Sequence, residues 1–255
     1  MSRFEIIDPT TRIQAFGNLC ALGIMTKAPE AGKVKTRLTP PLTPTEAATL
    51  NQCFLRDLSH SIADAAGKSP ARGVAIYTPV GKELAYDEIL PDGFLLVPQR
   101  GNDFGERLCC AVNDLLSAGF DSVCLINSDS PTVPVANFAE AANELAKPGD
   151  RIVLGPSDDG GYYLIGMKRL HRRVFEDVEW STERVMEQTL ERAREIGAAV
   201  YQLPRGYDVD DRATLQRLSN ELLGHASGDR VAAHTKKFLS EIVEREGRDR
   251  IWPSR

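Results

Sequence analysis

No stretch of this chain is apolar for long enough to cross a membrane. Residues 19–25 are among its longest apolar runs, and a spanning helix needs about twenty. The opening MSRFEIIDPTTRIQAF mixes charges with apolar side chains and lacks the apolar core of a signal peptide. The five cysteines (Cys20, Cys53, Cys109, Cys110, Cys124) show no CxxC spacing and read as buried reduced thiols. A basic excess is missing too. Thirty-one Lys and Arg against 36 Asp and Glu give a net charge of −5, which argues against a general nucleic-acid binder. Repeats and low-complexity linkers are absent. The expectation is a cytoplasmic globular protein.

What is present is an ordinary globular composition, 42% hydrophobic and 26% charged, in a chain long enough for one large domain or two small ones. From about residue 19, strand and helix patterns alternate. LCALGIMT is a short apolar strand. LTPTEAATL then supplies Thr43 as N-cap, Pro44 at the first helical position and Glu46 three residues after the cap. Apolar steps of three and four from Ala47 to Ala65 predict a helix of about twenty residues. GVAIYTP and GFLLVPQ are further strands, DFGERLCCAVNDLLSAG a helix closed by Gly119, DSVCLINSD a fourth strand and VANFAEAANELA the next helix. RIVLGPSDDGGYYLIGM reads as two strands split by a polar turn, STERVMEQTLERAREIG as a helix capped by Ser181, and AAVYQLP as a strand. A last amphipathic helix runs from about Asp229 to Gly247, with an apolar stripe (Val231, Phe238, Leu239, Ile242) that packs either at home or on a partner. Such alternation implies a mainly parallel sheet covered on both faces. Residues 1–17 are expected as an N-terminal extension, 18–224 as one α/β domain and 225–255 as a C-terminal helical extension.

In open α/β sheets ligands bind beyond the carboxyl ends of the strands. Five polar clusters fall there. TKAPEAGKVKTRL carries Lys27, Lys33, Lys35 and Arg37, cations suited to a di- or triphosphate, although solvated loop lysines are the plainer reading. It is no P-loop: Lys27 and Val34 stand where glycine and Ser/Thr are required. PQRGNDFGERL offers Asp103, Glu106 and Arg107 to a ligand, or simply a helix cap by Asn102 or Asp103. LINSDSPTVP places Asp129 at the mouth of a buried strand, where a divalent cation shared with phosphates explains it better than a turn cap does. GPSDDGGYYLIG holds Asp158 and Asp159, either facing a substrate hydroxyl as a base or forming a plain hairpin turn. YDVDDRATL presents Asp208 and Asp210 on one side of an extended segment, which suits a second metal contact. Each cluster is ambiguous alone; together they are less so.

In this order, TKAPEAGKVKTRL, GERL, NSDSPTVP, LGPSDDGGYYLIG, VEWST and DVDDRATL resemble the bacterial family DUF2064, also called the arsenosugar-biosynthesis-type glycosyltransferase-like family. The resemblance spans roughly residues 19–218. That family lies within the nucleotide-diphospho-sugar transferase (GT-A) superfamily, which implies an α/β fold with a mixed, mostly parallel sheet and helices on both faces. By matching position, Lys27, Lys35 and Arg37 would touch phosphates, and Asp129 would stand for the metal-binding aspartate of the superfamily's DxD motif. Asn127-Ser128-Asp129 carries only one carboxylate of that motif, so Mg²⁺ or Mn²⁺ needs another ligand, Asp210 or Asp208. Gly160, Gly161, Trp180, Ser181 and Thr182 would form the sugar or acceptor side, with Trp180 stacking on a sugar or serving as core.

Three readings follow. A glycosyltransferase would move a sugar from a nucleotide-sugar to a small-molecule acceptor, with metal at Asp129 and Asp159 as the base. A nucleotidyltransferase would couple an NTP to a phosphorylated small molecule and release pyrophosphate; the absent Gly-x-Gly-Thr-Arg run lowers that option. A non-catalytic nucleotide binder would have to tolerate carboxylates clustered without a cation. The base, the sugar, the acceptor and the oligomeric state are not legible at this level.

Overall fold

The computed structural model describes residues 2–8, 16–224 and 231–251. Eight strands form one sheet: β1 (Glu5–Ile6), β2 (Cys20–Lys27), β3 (Ala71–Thr78), β4 (Leu95–Pro98), β5 (Ser122–Ile126), β6 (Arg151–Pro156), β7 (Tyr162–Met167) and β8 (Ala199–Gln202). Their spatial order is β1-β4-β3-β2-β5-β7-β6-β8. Only β7 runs antiparallel to its neighbours β5 and β6; every other pairing is parallel. The expected mixed, mostly parallel sheet is therefore what forms.

Alternation along the buried strands divides the core. Leu22, Ile24, Ala75, Tyr77, Cys124 and Ile126 pack on one face with α1 (Pro44–Ala66) and α3 (Val135–Ala146). Ala21, Val74, Ile76, Val123 and Leu125 point to the other, under α2 (Phe104–Ser117) and α4 (Val185–Glu195). Parallel strands need such cover on both sides, because they are apolar on both.

The N-terminus differs from the extension expected. Glu5 and Ile6 pair with Leu95 and Leu96 as an edge strand, and Phe4 enters the core. Two residues are too short for a periodicity signal. Helix α1 begins as read, with Thr43 and Glu46 in a reciprocal capping box. Helix α4 starts later than the Ser181 cap predicts. Ser181 takes φ +64°, and the first-turn N–H of Met186 is met by the Gly160 carbonyl at 2.8 Å, so no side-chain cap is needed. The cysteines are all free, four of them buried and Cys110 half-buried. No helix among the described residues is long and apolar enough to cross a membrane.

A third core joins α5 (Arg212–Leu223) and α6 (Ala233–Glu246) to the first half of α1. Leu239 and Ile242 of the C-terminal stripe are buried there, Phe238 packs against its edge, and Val231 is exposed. Residues 229 and 230, where this helix was expected to begin, lie outside the described residues. The first turn of α6 has no cap of its own. Instead the buried Asp57 of α1 accepts the N–H groups of His234 and Thr235, both at 2.9 Å, and the Thr235 hydroxyl at 2.6 Å. A carboxylate meeting three donors at a helix N-terminus is both cap and charge complement. Asp57→Ala is expected to cost about 2–3 kcal/mol, the sum of a lost cap and buried donors left unpaired. Chemical denaturation monitored by circular dichroism checks this.

Candidate functional site

Reading outward from β2, the chain builds β3 and β4 on one side and β5 on the other, so strand order reverses between β2 and β5. Ligands of open α/β sheets bind in the crevice at such a point. A cavity of about 630 Å³ lies there, floored by Met25, Thr26, Leu125 and Ile126 from the ends of those strands. Asp129, Asp159, Asp208 and Asp210 line it, with Lys27, Arg37 and Arg107, and with Trp180 as an aromatic wall.

Its organising contact is one the sequence does not suggest. Lys35, expected on phosphate, holds Asp129 and Asp210, two of the three acids expected on metal. Its ammonium lies 2.7 Å from Asp129 Oδ1 and 2.8 Å from Asp210 Oδ1, and donates to the Val209 carbonyl at 2.7 Å. The Lys35 side chain is only 4% exposed, and the ammonium sits 5.4 Å from the centre of the Phe54 ring. Burial alone would lower its pKa; Asp129 and Asp210 outweigh that and hold it above the ordinary lysine value. The backbone at Lys35 is left-handed, φ 49° and ψ 36°. That conformation costs a non-glycine residue roughly 1–2 kcal/mol, which the buried ion pairs must offset.

The carboxylates arrive from three loops. Asp129 follows β5, and its backbone carbonyl accepts the N–H of Val209 at 2.9 Å. That bond lays residues 206–211 across the strand ends. Gly206 ties the same segment to the β6 end through Pro156 and Asp158. Asp208 accepts a short hydrogen bond from the Ser157 hydroxyl. Burial is the main cause that pushes its carboxyl up to about 6; the Ser157 bond opposes this, and the charges of Asp159, Asp210 and Asp129 add to it. Asp211 caps α5 by accepting the Thr214 N–H at 2.8 Å.

The other expected residues divide. Lys27 reaches back to the Lys33 carbonyl at 3.1 Å, and Lys33 pairs with Glu30 at 2.7 Å. Both line a smaller hollow, with Lys35 and Asn51, that shares Lys27, Arg37, Asp129 and Asp210 with the main cavity. Asp103 is the N-cap of α2, its Oδ1 accepting the Glu106 N–H at 2.8 Å, so the plainer of its two readings is the one observed. Asp158 pairs with Arg217 at 2.7 Å and is not among the residues lining the main cavity. Asp159 does line it, with Oδ1 accepting the Gly161 N–H at 2.9 Å. Gly160 has φ +86°, and a Cβ there would collide with the Glu183 carbonyl. It shapes the turn from behind, while Gly161, Trp180, Ser181 and Thr182 face the cavity. Trp180 meets Phe104 edge-on at 5.1 Å.

Two side chains escaped the sequence reading. Gln99 donates both amide hydrogens, to Thr26 O at 2.9 Å and Ile76 O at 2.8 Å, which leaves its carbonyl oxygen as a fixed acceptor at the cavity. Its position directly after β4 was the available signal. Asn51 of α1 is 4% exposed with an unpartnered Oδ1; inside an amphipathic helix it gave no signal.

Mg²⁺ and Mn²⁺ take hard oxygens, and Mg²⁺ commonly uses one or two carboxylates plus phosphate oxygens. Asp129 and Asp210 each direct one oxygen to one point, two hard donors of the kind such an ion takes, while no three acidic, His or Cys side chains gather as a metal centre among the described residues. The point is held by the Lys35 ammonium.

The resemblance to DUF2064 is borne out. The model of that family, described as an uncharacterized protein conserved in bacteria, matches residues 61–182. The chain is 29% identical to a protein from Desulfovibrio desulfuricans G20 named provisionally as a nucleotide-diphospho-sugar transferase. That match covers 92% of this chain and 99% of the other, with a TM-score of 0.78. A nucleotidyl transferase from Methanothermobacter shares the fold at 13% identity, covering 79% and 96%, with a TM-score of 0.55. So does the 4-diphosphocytidyl-2C-methyl-D-erythritol synthase of Anaerococcus prevotii, at 9% identity, 79% and 97% coverage and a TM-score of 0.50. No functionally curated protein matches the sequence. The fold is of the nucleotide-diphospho-sugar transferase type.

The raised carboxyl of Asp208 predicts a pH effect of definite sign. Between the ordinary aspartate value near 4 and about 6, the folded chain binds the proton that the unfolded chain has lost, so stability falls as pH rises through that window. Asp208→Asn removes the loss while keeping an acceptor for Ser157. Its melting temperature is expected to exceed that of the unmodified protein at pH 7.5 and to converge with it below pH 4, as read by thermal melts across that range.

Proposed function

We propose that the protein is a transferase that binds a nucleoside diphosphate group at the β2/β5 crevice and moves a sugar from a nucleotide-sugar to a small-molecule acceptor. The observation that carries this reading is the gathering, within one cavity, of cations, carboxylates and an aromatic side chain. Lys27 and Arg37 bind the diphosphate, and Arg107 closes its flank. The Gln99 carbonyl, its amide hydrogens already spent, accepts an N–H from the base. Trp180, backed by Phe104, offers its face to the sugar.

In the transfer, an acceptor hydroxyl attacks the anomeric carbon. The bond from that carbon to the diphosphate oxygen breaks, and its electron pair leaves on the nucleoside diphosphate. The hydroxyl proton passes to a carboxylate. Asp159, which lines the cavity, is the first candidate for this, and Asp208, raised to about 6, the second, with the proton affinity of a base that works near neutrality. Asp129 and Asp210 would hold Mg²⁺ or Mn²⁺, which neutralises charge developing on the leaving diphosphate. The basic stretch 27–37 would serve a triphosphate equally well, which keeps nucleotidyl transfer as the second reading.

Calorimetry with a panel of nucleoside diphosphates, nucleotide-sugars and NTPs, with and without Mn²⁺, tests the proposal. One nucleoside diphosphate and its sugar conjugate are expected to bind with metal dependence; preference for an NTP would favour nucleotidyl transfer, and no binding would sink both. Arg37→Ala is expected to weaken the diphosphate about tenfold, the scale of one charge-assisted contact, and to leave the nucleoside unchanged.

A further inference from the structure

The Asp129–Asp210 pair already has a cation, and it is part of the chain. Lys35 places its ammonium 2.7 and 2.8 Å from one oxygen of each acid, the position a divalent ion shared by both would take. Two cations cannot share that point. Lys35 cannot be read as idle packing either. Its ammonium is inside the protein, on the Phe54 ring, with a third bond to the Val209 carbonyl. In the same hollow, Asn51 turns a buried Oδ1 that has no donor. Asn51 lies three residues before Phe54 on α1, so the two share a helix face, and the open acceptor stands beside the ring that carries the ammonium. A buried acceptor without a partner is costly, and it marks room for a donor that this arrangement does not supply. The hollow is further lined by Lys27, Lys33 and Arg37, so an entering phosphate meets cations there.

From this we infer that Lys35 and a divalent cation occupy the Asp129–Asp210 pair alternately. This rests on the proposed metal reading and gives it an order. Without nucleotide, Lys35 keeps the two acids together and excludes metal. When a diphosphate arrives, its oxygens and the Asn51 carbonyl draw the ammonium off the acids, which then take the ion. Lys35 is thus a positioning residue that makes metal binding conditional on nucleotide. Lysine suits the task, as a compact ammonium on a flexible four-carbon stem, where the planar fork of arginine would hold both acids more rigidly.

The test is Mn²⁺ binding to the full chain without nucleotide, followed by the electron paramagnetic resonance signal of the free ion. Lys35→Met is expected to bind Mn²⁺ at least tenfold more tightly than the unmodified protein. The double variant Lys35→Met/Asp129→Asn is expected to lose that gain. The double variant separates a gain at this pair from a general release of carboxylates by a damaged fold. Thermal melts give a second readout, since Mn²⁺ should raise the melting temperature of Lys35→Met and of Lys35→Ala and leave the unmodified protein unmoved. Equal Mn²⁺ affinity in the unmodified and Lys35→Met proteins, lost in Asp129→Asn, would overturn the alternation and keep the metal site. If no form binds Mn²⁺, with a nucleoside diphosphate present or absent, both the alternation and the metal reading fail.

Discussion

One ammonium joins the parts of this site. Lys35 belongs to the loop after β2, Asp129 to the loop after β5, and Val209 and Asp210 to the segment that leads into α5. Three pieces of chain, separated by about 90 and 80 residues, meet on one nitrogen. The meeting is electrostatically necessary. Asp129, Asp159, Asp208 and Asp210 line one cavity, and like charges in a partly desolvated place destabilise one another. Asp208 carries part of that cost: burial first, and then the charges of Asp159, Asp210 and Asp129, push its carboxyl up to about 6. A buried ion pair is weak evidence of net stability, but removing one partner leaves an uncompensated charge and is strongly destabilising. The contact therefore matters most for what it prevents.

Support for that ammonium extends far from the cavity. Phe54, under Lys35, is buried among Leu38, Leu50, Leu215 and Leu239. The last of these comes from α6, whose first turn is held by Asp57, three residues after Phe54 on the same α1 face. The C-terminal helix is in this sense continuous with the site: it completes the apolar bed on which the charged contact rests. Carboxylates and lysines are held best by neighbours that cannot move, and close packing provides that.

Much of this was legible from sequence, and the failures have physical reasons. Strand and helix order from residue 20 onward followed from periodicity, because buried parallel strands and amphipathic helices carry long, redundant signals. Thr43 and Glu46 announced a helix start because capping is local chemistry. Strand β1 was invisible, since two residues have no period, and α4 began late with a first-turn N–H, that of Met186, met by Gly160 from another loop. The same limit governed the site. The sequence showed that Lys35, Asp129 and Asp210 stood at strand ends, where ligands bind, but not that they would face one another. Asp103 and Asp158 were drawn into the candidate set by the same rule, and their partners, the Glu106 N–H and Arg217, are a cap and a surface ion pair. Gln99 was missed because a lone glutamine after a strand carries no charge to attract notice.

The strands at the two margins of the sheet are among its shortest. β1 has two residues and β8 four, whereas β2 and β3 near the middle have eight each. An outer strand exposes unpaired amides and carbonyls, and a long flat one invites another chain to add itself. Here a newcomer would find two residues of ladder on one side and four on the other, the latter with Tyr201 tied down to Glu140 of α3. Short borders of this kind leave little template for edge-to-edge aggregation.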